Sequence, residues 1–339
     1  MKAITLLVLL LSLTGCSLPV AGPATAAVPT DAIVITTPSP FVQPTAQPGT
    51  SDNPLILALT PSHRPSEAAI AASEELTGLL GRLTGYAFVA VAPSDEVALV
   101  DALGADNAHV AVLTPFGYLA AHRRGSVTAG LASVRDGRSL YGAQLIANRT
   151  SQFEAHLDEE LGQNTTTAEN ALLQFRNRKP CWSEYASPSG HVVPLGYLNQ
   201  VKAFPTSGAF LEGQPSVVRA VYAEGICDFG ATFVDARTSP ALEEDYPDVL
   251  ERVVVIWRIP EIIPYEVLVF AADLPIEMRR VLLRAFVDVM LDPGGKAAMQ
   301  TIYGIEALQP AEDSLYAQFD AIATASGLPL ESLMEADDL

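Results

Sequence analysis

The block Ser187-Pro188-Ser189-Gly190 places two hydroxyls and a flexible backbone just ahead of a predicted helix. Residues of these types at such a place have two readings. One is a turn with a capping hydroxyl. The other is a set of hydroxyl and backbone N–H donors for an oxyanion, which the positive end of a helix dipole favours. Nothing in the chain supplies a matching reactive centre. No Gly-x-Ser-x-Gly, Ser-x-x-Lys or His-Glu-x-x-His pattern occurs in the sequence. The five histidines, His63, His109, His122, His156 and His191, show no metal-ligand spacing. The chemistry pointed to is therefore binding without turnover, with no enzyme activity, metal or cofactor expected. Purified protein is expected to leave generic ester and phosphate substrates intact.

The compartment is written at the start of the chain. Lys2 precedes an apolar run from Ile4 to Leu13, followed by Leu13-Thr14-Gly15-Cys16. This is the layout of a secretory signal, and the run is too short to span a bilayer as a helix. The pattern resembles a bacterial lipobox. It implies removal of residues 1–15 as a signal peptide, thioether lipidation of Cys16, and a mature protein tethered outside the cytoplasm. An ordinary secretory signal with an incidental Cys16 is the plainer alternative. Outside the cytoplasm there is no ATP, NAD or reducing thiol pool to draw on. The two remaining cysteines, Cys181 and Cys227, are accordingly expected to pair. Closing that loop is worth about 4 kcal/mol on the chain-entropy model.

The net charge of −19, from 39 acids against 20 bases, argues against a nucleic-acid partner. It leaves room for a small anion, because surface charge is screened within about 10 Å at ordinary salt. A chain of 339 residues, 49% hydrophobic, is long enough for two lobes with cores of their own.

Residues 16–53 read as a spacer rich in Pro, Thr and Ala, with Ile33-Val34-Ile35 as its one strand-like piece. From Leu55 onward apolar runs and amphipathic stretches alternate. Strands are predicted at 55–59, 87–91 and 109–113. Helices are predicted at 66–83, at 94–103 with Ser94 as cap, and at 116–123. Further strands are expected at 127–134, 141–147, 201–204, 228–233, 253–256 and 267–270. Further helices are expected at about 165–175, after Gly190, and at 216–224, 276–291, 296–303 and 311–325. This alternation implies α/β architecture with parallel sheets flanked by helices.

Several blocks occur in one order: Leu113-Thr114-Pro115-Phe116-Gly117-Tyr118, Tyr141, Ser187-Pro188-Ser189-Gly190 with Pro194, Gly225 to Ala231, and Ile262-Ile263-Pro264. Together they resemble the phosphate/phosphite/phosphonate-binding family of ABC-transporter substrate-binding proteins, over roughly Leu55 to Tyr316. The resemblance implies a two-lobed periplasmic-binding-protein type 2 fold, with two crossover strands joining the lobes. Lobe one would be 54–143 plus 262–339, and lobe two 144–261. It also implies a monomer that delivers a small phosphate- or phosphonate-like ligand to a membrane permease. A ligand-sensing lipoprotein that feeds a membrane kinase would have the same cleft.

Carried over residue by residue, the resemblance assigns Ser187, Ser189 and the amides of Ser189, Gly190 and His191 to the oxyanion. Thr114, Tyr118 and Asp228 would join them in the cleft. The chain departs from the family pattern at four places. Pro188 replaces a threonine, which removes a hydroxyl and an N–H. Glu96 stands where a ligand-facing tyrosine is usual, Gln214 where a histidine is frequent, and Tyr265-Glu266 where Asn-Asp is usual. If Glu96, Asp228 and Glu266 all face the cleft, the ligand carries a positive group. Alternatively Glu96 points to solvent from its helix.

Overall fold

The computed structural model describes residues 47–61 and 64–336. The expected signal segment, Cys16 and the spacer as far as residue 46 lie outside the described residues. The apolar run after Pro54 forms β1 (Leu55–Ala58). Helix α1 (Glu67–Thr84) starts where the Ser66 hydroxyl accepts the Ala69 N–H, and it ends at Gly85, whose φ of +76° only glycine adopts freely. β2 (Phe88–Val91) follows, then α2 (Glu96–Gly104). The cap of α2 is Asp95 and not Ser94, because the Asp95 carboxylate takes the Ala98 N–H while Ser94 donates to Asp95. β3 (Val110–Leu113), α3 (Pro115–Arg123) and β4 (Val127–Val134) complete this half of the alternation.

β5 (Leu140–Asn148) then carries the chain away, and β6 (Leu157–Asp158) and β7 (Gln163–Asn164) form a short hairpin. α4 (Ala168–Leu172) precedes β8 (Pro180–Trp182). A π-helical turn, Pro188–Val192, runs without a break into α5 (Val193–Gln200). Next come β9 (Ala209–Phe210), α6 (Gln214–Ala223) and β10 (Phe229–Phe233). α7 (Pro240–Glu243) and α8 (Val249–Arg252) lead into the long β11 (Val253–Pro264). β12 (Val267–Ala271), α9 (Ile276–Val289), α10 (Pro293–Tyr303), β13 (Ala307–Pro310), α11 (Ala317–Ala325) and α12 (Leu330–Ala336) close the chain.

Two large sheets result. The first has the order β13-β4-β12-β3-β1-β2, and the second β11-β5-β10-β8-β9. β1 runs parallel to β2 and β3, and β8 parallel to β9 and β10. β12 is antiparallel to both β3 and β4. The chain leaves the first sheet through β5 and returns through β11, and these two strands pair antiparallel from Asn148↔Val253 to Leu140↔Pro264. The register slips between Ile259 and Ile263, where the pair leaves the second sheet. Gly142 lies against this slip, since a Cβ there would stand 2.7 Å from the Ile259 carbonyl oxygen. Each sheet has its own apolar packing: Leu57, Leu80, Phe270 and Phe286 on the first, Val217, Val221 and Val253 on the second. This is the type 2 periplasmic-binding-protein fold.

Some expectations fail locally. Residues 201–204 are not a strand. They unwind α5, with Lys202 at φ +58° and the Ala203 N–H returning to the Leu198 carbonyl. The expected helix at 311–325 begins only at Ala317, after a 3₁₀ turn at Asp313–Tyr316. α11 then wedges between α3 and α5. Phe319 meets Phe116 with ring centroids 5.7 Å apart, and Asn199 of α5 donates to the Ala325 and Ser326 carbonyls. The Cys181 and Cys227 sulfurs are bonded, with Cα atoms 5.6 Å apart.

Candidate functional site

The carboxyl ends of β3, β8 and β10 and the turns around the crossover open onto one cavity of about 790 Å³. In open α/β sheets this is where ligands lie. Thr114, Arg135, Arg138, Tyr265 and Glu266 line it from the first sheet's side; Ser187, Ser189, Gln214, Phe233 and Asp235 line it from the second's. Tyr141 and Gly142 of β5 line it at the crossover.

The serine turn is held from behind by Gln214. Its Nε2 donates to Ser187 Oγ and Ser183 Oγ, both at 3.2 Å, and approaches Ser189 Oγ at 3.5 Å. Its Oε1 accepts the Phe233 N–H at 3.1 Å, which fixes the orientation of the amide. Ser187 Oγ also accepts the Gly190 N–H at 3.0 Å. A hydroxyl has two lone pairs and one hydrogen. Both Ser187 lone pairs are engaged, so its hydrogen is left to donate, and the residue lines the cavity. Gly190 itself packs too closely for any side chain: a Cβ would lie 1.9 Å from Ser183 Oγ and 2.9 Å from Gln214 Nε2. Of the three amides expected to face a ligand, two are spent inside the turn. Gly190 N–H goes to Ser187 Oγ, and His191 N–H goes to the Ser187 carbonyl. That leaves the Ser189 amide as the backbone donor of this turn.

Tyr141 adds a phenol beside Ser189, to which it is hydrogen-bonded, and burial pushes the hydroxyl well above its ordinary range. It therefore stays protonated and able to donate. The Tyr141 ring stacks on Tyr265 at 4.9 Å, and the Arg135 guanidinium lies over Tyr265, also at 4.9 Å. Arg135 is paired with Glu266, whose Oε2 is buried without a hydrogen-bond partner. Arg138 is paired with Glu261. Four carboxylates, Asp136, Asp235, Glu261 and Glu266, thus line the cavity with two guanidinia.

Three residues named from the sequence stand elsewhere. Tyr118 is fully buried on the far side of α3, where its hydroxyl donates to Asp313 at 2.7 Å and its ring packs on Tyr316 at 4.5 Å. Asp228 lies at the entry of β10, the end opposite the cavity, and its carboxylate accepts the Lys179 N–H at 2.7 Å. It borders a separate depression of about 240 Å³ beside the disulfide. Glu96 neither faces the cavity nor points to solvent. It is 4% exposed and accepts from the Thr114 N–H at 2.8 Å and the Thr114 hydroxyl at 2.7 Å.

Tyr141, Arg135, Arg138, Phe233, Asp235 and Tyr265 were not singled out as site residues. For Asp235 a signal existed: it follows the carboxyl end of β10, where a cleft acid belongs. Arg135 and Arg138 flank Asp136-Gly137 in the turn between β4 and β5, a connection the strand pattern already implied. Among the described residues no group of three or more His, Cys, Asp or Glu side chains could hold a metal ion.

The family model for the periplasmic phosphonate substrate-binding protein of ABC transporters matches residues 57–316. The chain belongs to that family. Two solved structures with TM-scores above 0.5 agree on the fold. A Xanthomonas citri protein bound to ATP superposes with a TM-score of 0.56 at 13% identity, over 83% of this chain and 98% of that one. The Mycoplasma hyorhinis protein Mh-p37, described as a putative thiamine pyrophosphate transporter, gives 0.51 at 10% identity, over 79% and 98%. PhnD1 from Prochlorococcus marinus, in complex with methylphosphonate, gives 0.48 at 14% identity, over 79% and 97%. No curated protein matches the sequence. Like the rest of its family, this phosphonate-binding-family member is a substrate-binding transport protein working outside the cytoplasm. Among its described residues no helix is long and apolar enough to cross a membrane.

Proposed function

We propose that the chain is a lipid-anchored solute receptor that captures a small phosphonate- or phosphate-like ligand between its two lobes and hands it to an ABC permease. The reading rests above all on the Ser187 hydroxyl. Its lone pairs are both filled from within the protein, so its hydrogen serves whatever enters the cavity. Ser189 and Tyr141 share a hydrogen bond, so the one hydroxyl hydrogen left to the pair is the second donor to the same oxyanion. Gln214 positions the serines, and Glu266 with Tyr265 bounds the other end of the ligand. The lobes divide within β5 and β11, near residues 143 and 261, and swing about the paired crossover. Ligand affinity shifts the balance toward the closed form, which the permease recognises. Cys16 carries the lipid, residues 1–15 are removed, and the spacer holds the folded part off the membrane.

A thermal-shift and calorimetric screen of methylphosphonate, inorganic phosphate, phosphite and a sulfonate tests this. A ligand at a hundredfold excess over its Kd stabilises by about 2.7 kcal/mol. Absence of any shift with every phosphorus oxyanion refutes the reading.

A further inference from the structure

A second cavity, of about 560 Å³, opens on the first sheet and shares no lining residue with the cleft. Its size is within the usual range for a small-molecule site. It lies where β4 begins and β12 ends, between the first half of α9 and the 3₁₀ turn at Asp313–Tyr316. Phe270 of β12 pairs with Val110 at the start of β3, whereas the cleft lies beyond the other end of β3. The two cavities therefore stand at opposite ends of one sheet. Phe270, Ile276 and Leu283 give the second one apolar walls. Ile276 is 57% exposed, so apolar surface is left uncovered at the mouth.

One cation stands in this apolar setting half satisfied. The Arg279 guanidinium donates from Nη1 to the Thr128 hydroxyl at 3.0 Å, and its Nε is buried with no acceptor. Among the described residues no carboxylate is paired with it. Arg280 beside it is taken by Glu277. Two carboxylates share the wall, but Asp313 Oδ1 already accepts the Tyr118 hydroxyl and the Ala129 N–H, and Glu312 is exposed. A buried N–H without an acceptor is costly and calls for an occupant. A water would satisfy Nε and leave the apolar walls wet. A carboxylate with a hydrocarbon body serves both, because the edge formed by Nε and its neighbouring Nη grips a carboxylate with two parallel bonds.

We propose that this cavity is a second ligand site, for a small organic monocarboxylate with an apolar body. The carboxylate sits on the Nε edge of Arg279, and the hydrocarbon lies against Phe270, Ile276 and Leu283. The site is independent of what the cleft binds.

The test is calorimetry on the full chain with hexanoate. Hexylammonium is the control with the same body and the opposite charge, and acetate is the control with the same head and no body. Hexanoate is expected to bind, and each control to bind at least about tenfold more weakly. Arg279→Met keeps most of the stem and removes the donors, and should weaken hexanoate by about tenfold or more. Ile276→Glu adds a like charge at the mouth, at a first-turn position where an acid suits the helix, and should weaken it also. Ser187→Ala, in the cleft, should leave hexanoate affinity unchanged. Absence of hexanoate binding up to about 10 mM, or equal affinity for hexylammonium, overturns the proposal. So does undiminished affinity in folded Arg279→Met; if that variant does not fold, Ile276→Glu decides in its place. A loss of hexanoate binding in Ser187→Ala overturns it too, because the probe would then be in the cleft.

Discussion

Replacing Ser187 by alanine separates two jobs that one oxygen performs. Toward the protein, Ser187 Oγ caps the turn by accepting the Gly190 N–H at 3.0 Å and the Gln214 amide at 3.2 Å. Loss of such a cap costs about 1 kcal/mol. In a folded region of this size that lowers Tm by about 2 °C. Toward the ligand, the hydroxyl supplies a hydrogen bond to a charged oxygen, worth about 1.5 to 3 kcal/mol. Affinity for methylphosphonate should then fall by roughly 10- to 150-fold. Ser183→Ala is the control. Ser183 accepts from the same Gln214 nitrogen but does not line the cavity, so it should cost stability with little loss of affinity. Calorimetric titration beside urea denaturation reads both quantities. If Ser187→Ala binds within about twofold of the natural protein while losing its cap energy, the block is only a structural turn.

Breaking the Cys181–Cys227 bond frees a loop with a sequence separation of 46 residues. Serine at both positions should cost about 4 kcal/mol in urea denaturation, and a loss below about 1 kcal/mol would contradict the chain-entropy account. Tyr118→Phe deletes the bond to Asp313 and should lower stability by about 1 kcal/mol. Neither it nor Asp228→Asn should change ligand affinity, and a tenfold loss in either would return that residue to the cleft. Burial holds His109 and His191 below the ordinary imidazole value of 6.5. His109 Nδ1 accepts the Ile56 N–H at 2.9 Å, which only a neutral ring does. Between the folded and unfolded values the unfolded chain binds more protons. The contribution is therefore complete above pH 6.5 and is lost as pH falls below it. Urea midpoints at pH 7.5 and 5.5 should differ less for His109→Asn than for the natural protein.

The alternation of strands and helices was legible because each early strand is a continuous apolar run and each early helix has a cap. β8 and β9 were invisible for the opposite reason: three and two residues carry no periodicity, and only the pairing of β8 with β10 and of β9 with β8 makes them strands. Val201 to Phe204 looked like a strand because three of its four residues are apolar, but only Ala203 is buried, at the end of α5, and Phe204 is exposed. In the site, Ser187 and Gln214 sit where the block pattern put them, on the cavity wall. Asp228 misled because the pattern showed an acid beside a strand but not which end the chain enters. Glu96 could not be placed at all from local pattern, since its partner Thr114 lies 18 residues away across two strand connections. The guanidinia were missed because ion pairs with Glu266 and Glu261 are a matter of folded geometry, with no spacing to announce them.

α11 touches α3, whose first turn lines the cavity, and α5, which continues the serine turn that does: Arg123 of α3 pairs with Asp320, and Gly196 of α5 is bare so that the Ile322 backbone can approach. On the proposed division into two lobes, the C-terminal portion of the chain would act as a spacer block between two jaws. Paired β-strands alone would let the jaws both bend and twist. On the proposed hinge, α11 packed against each of them would restrain the twist and limit how far they shut, so the size of ligand that fits would be gauged partly by residues that never meet it.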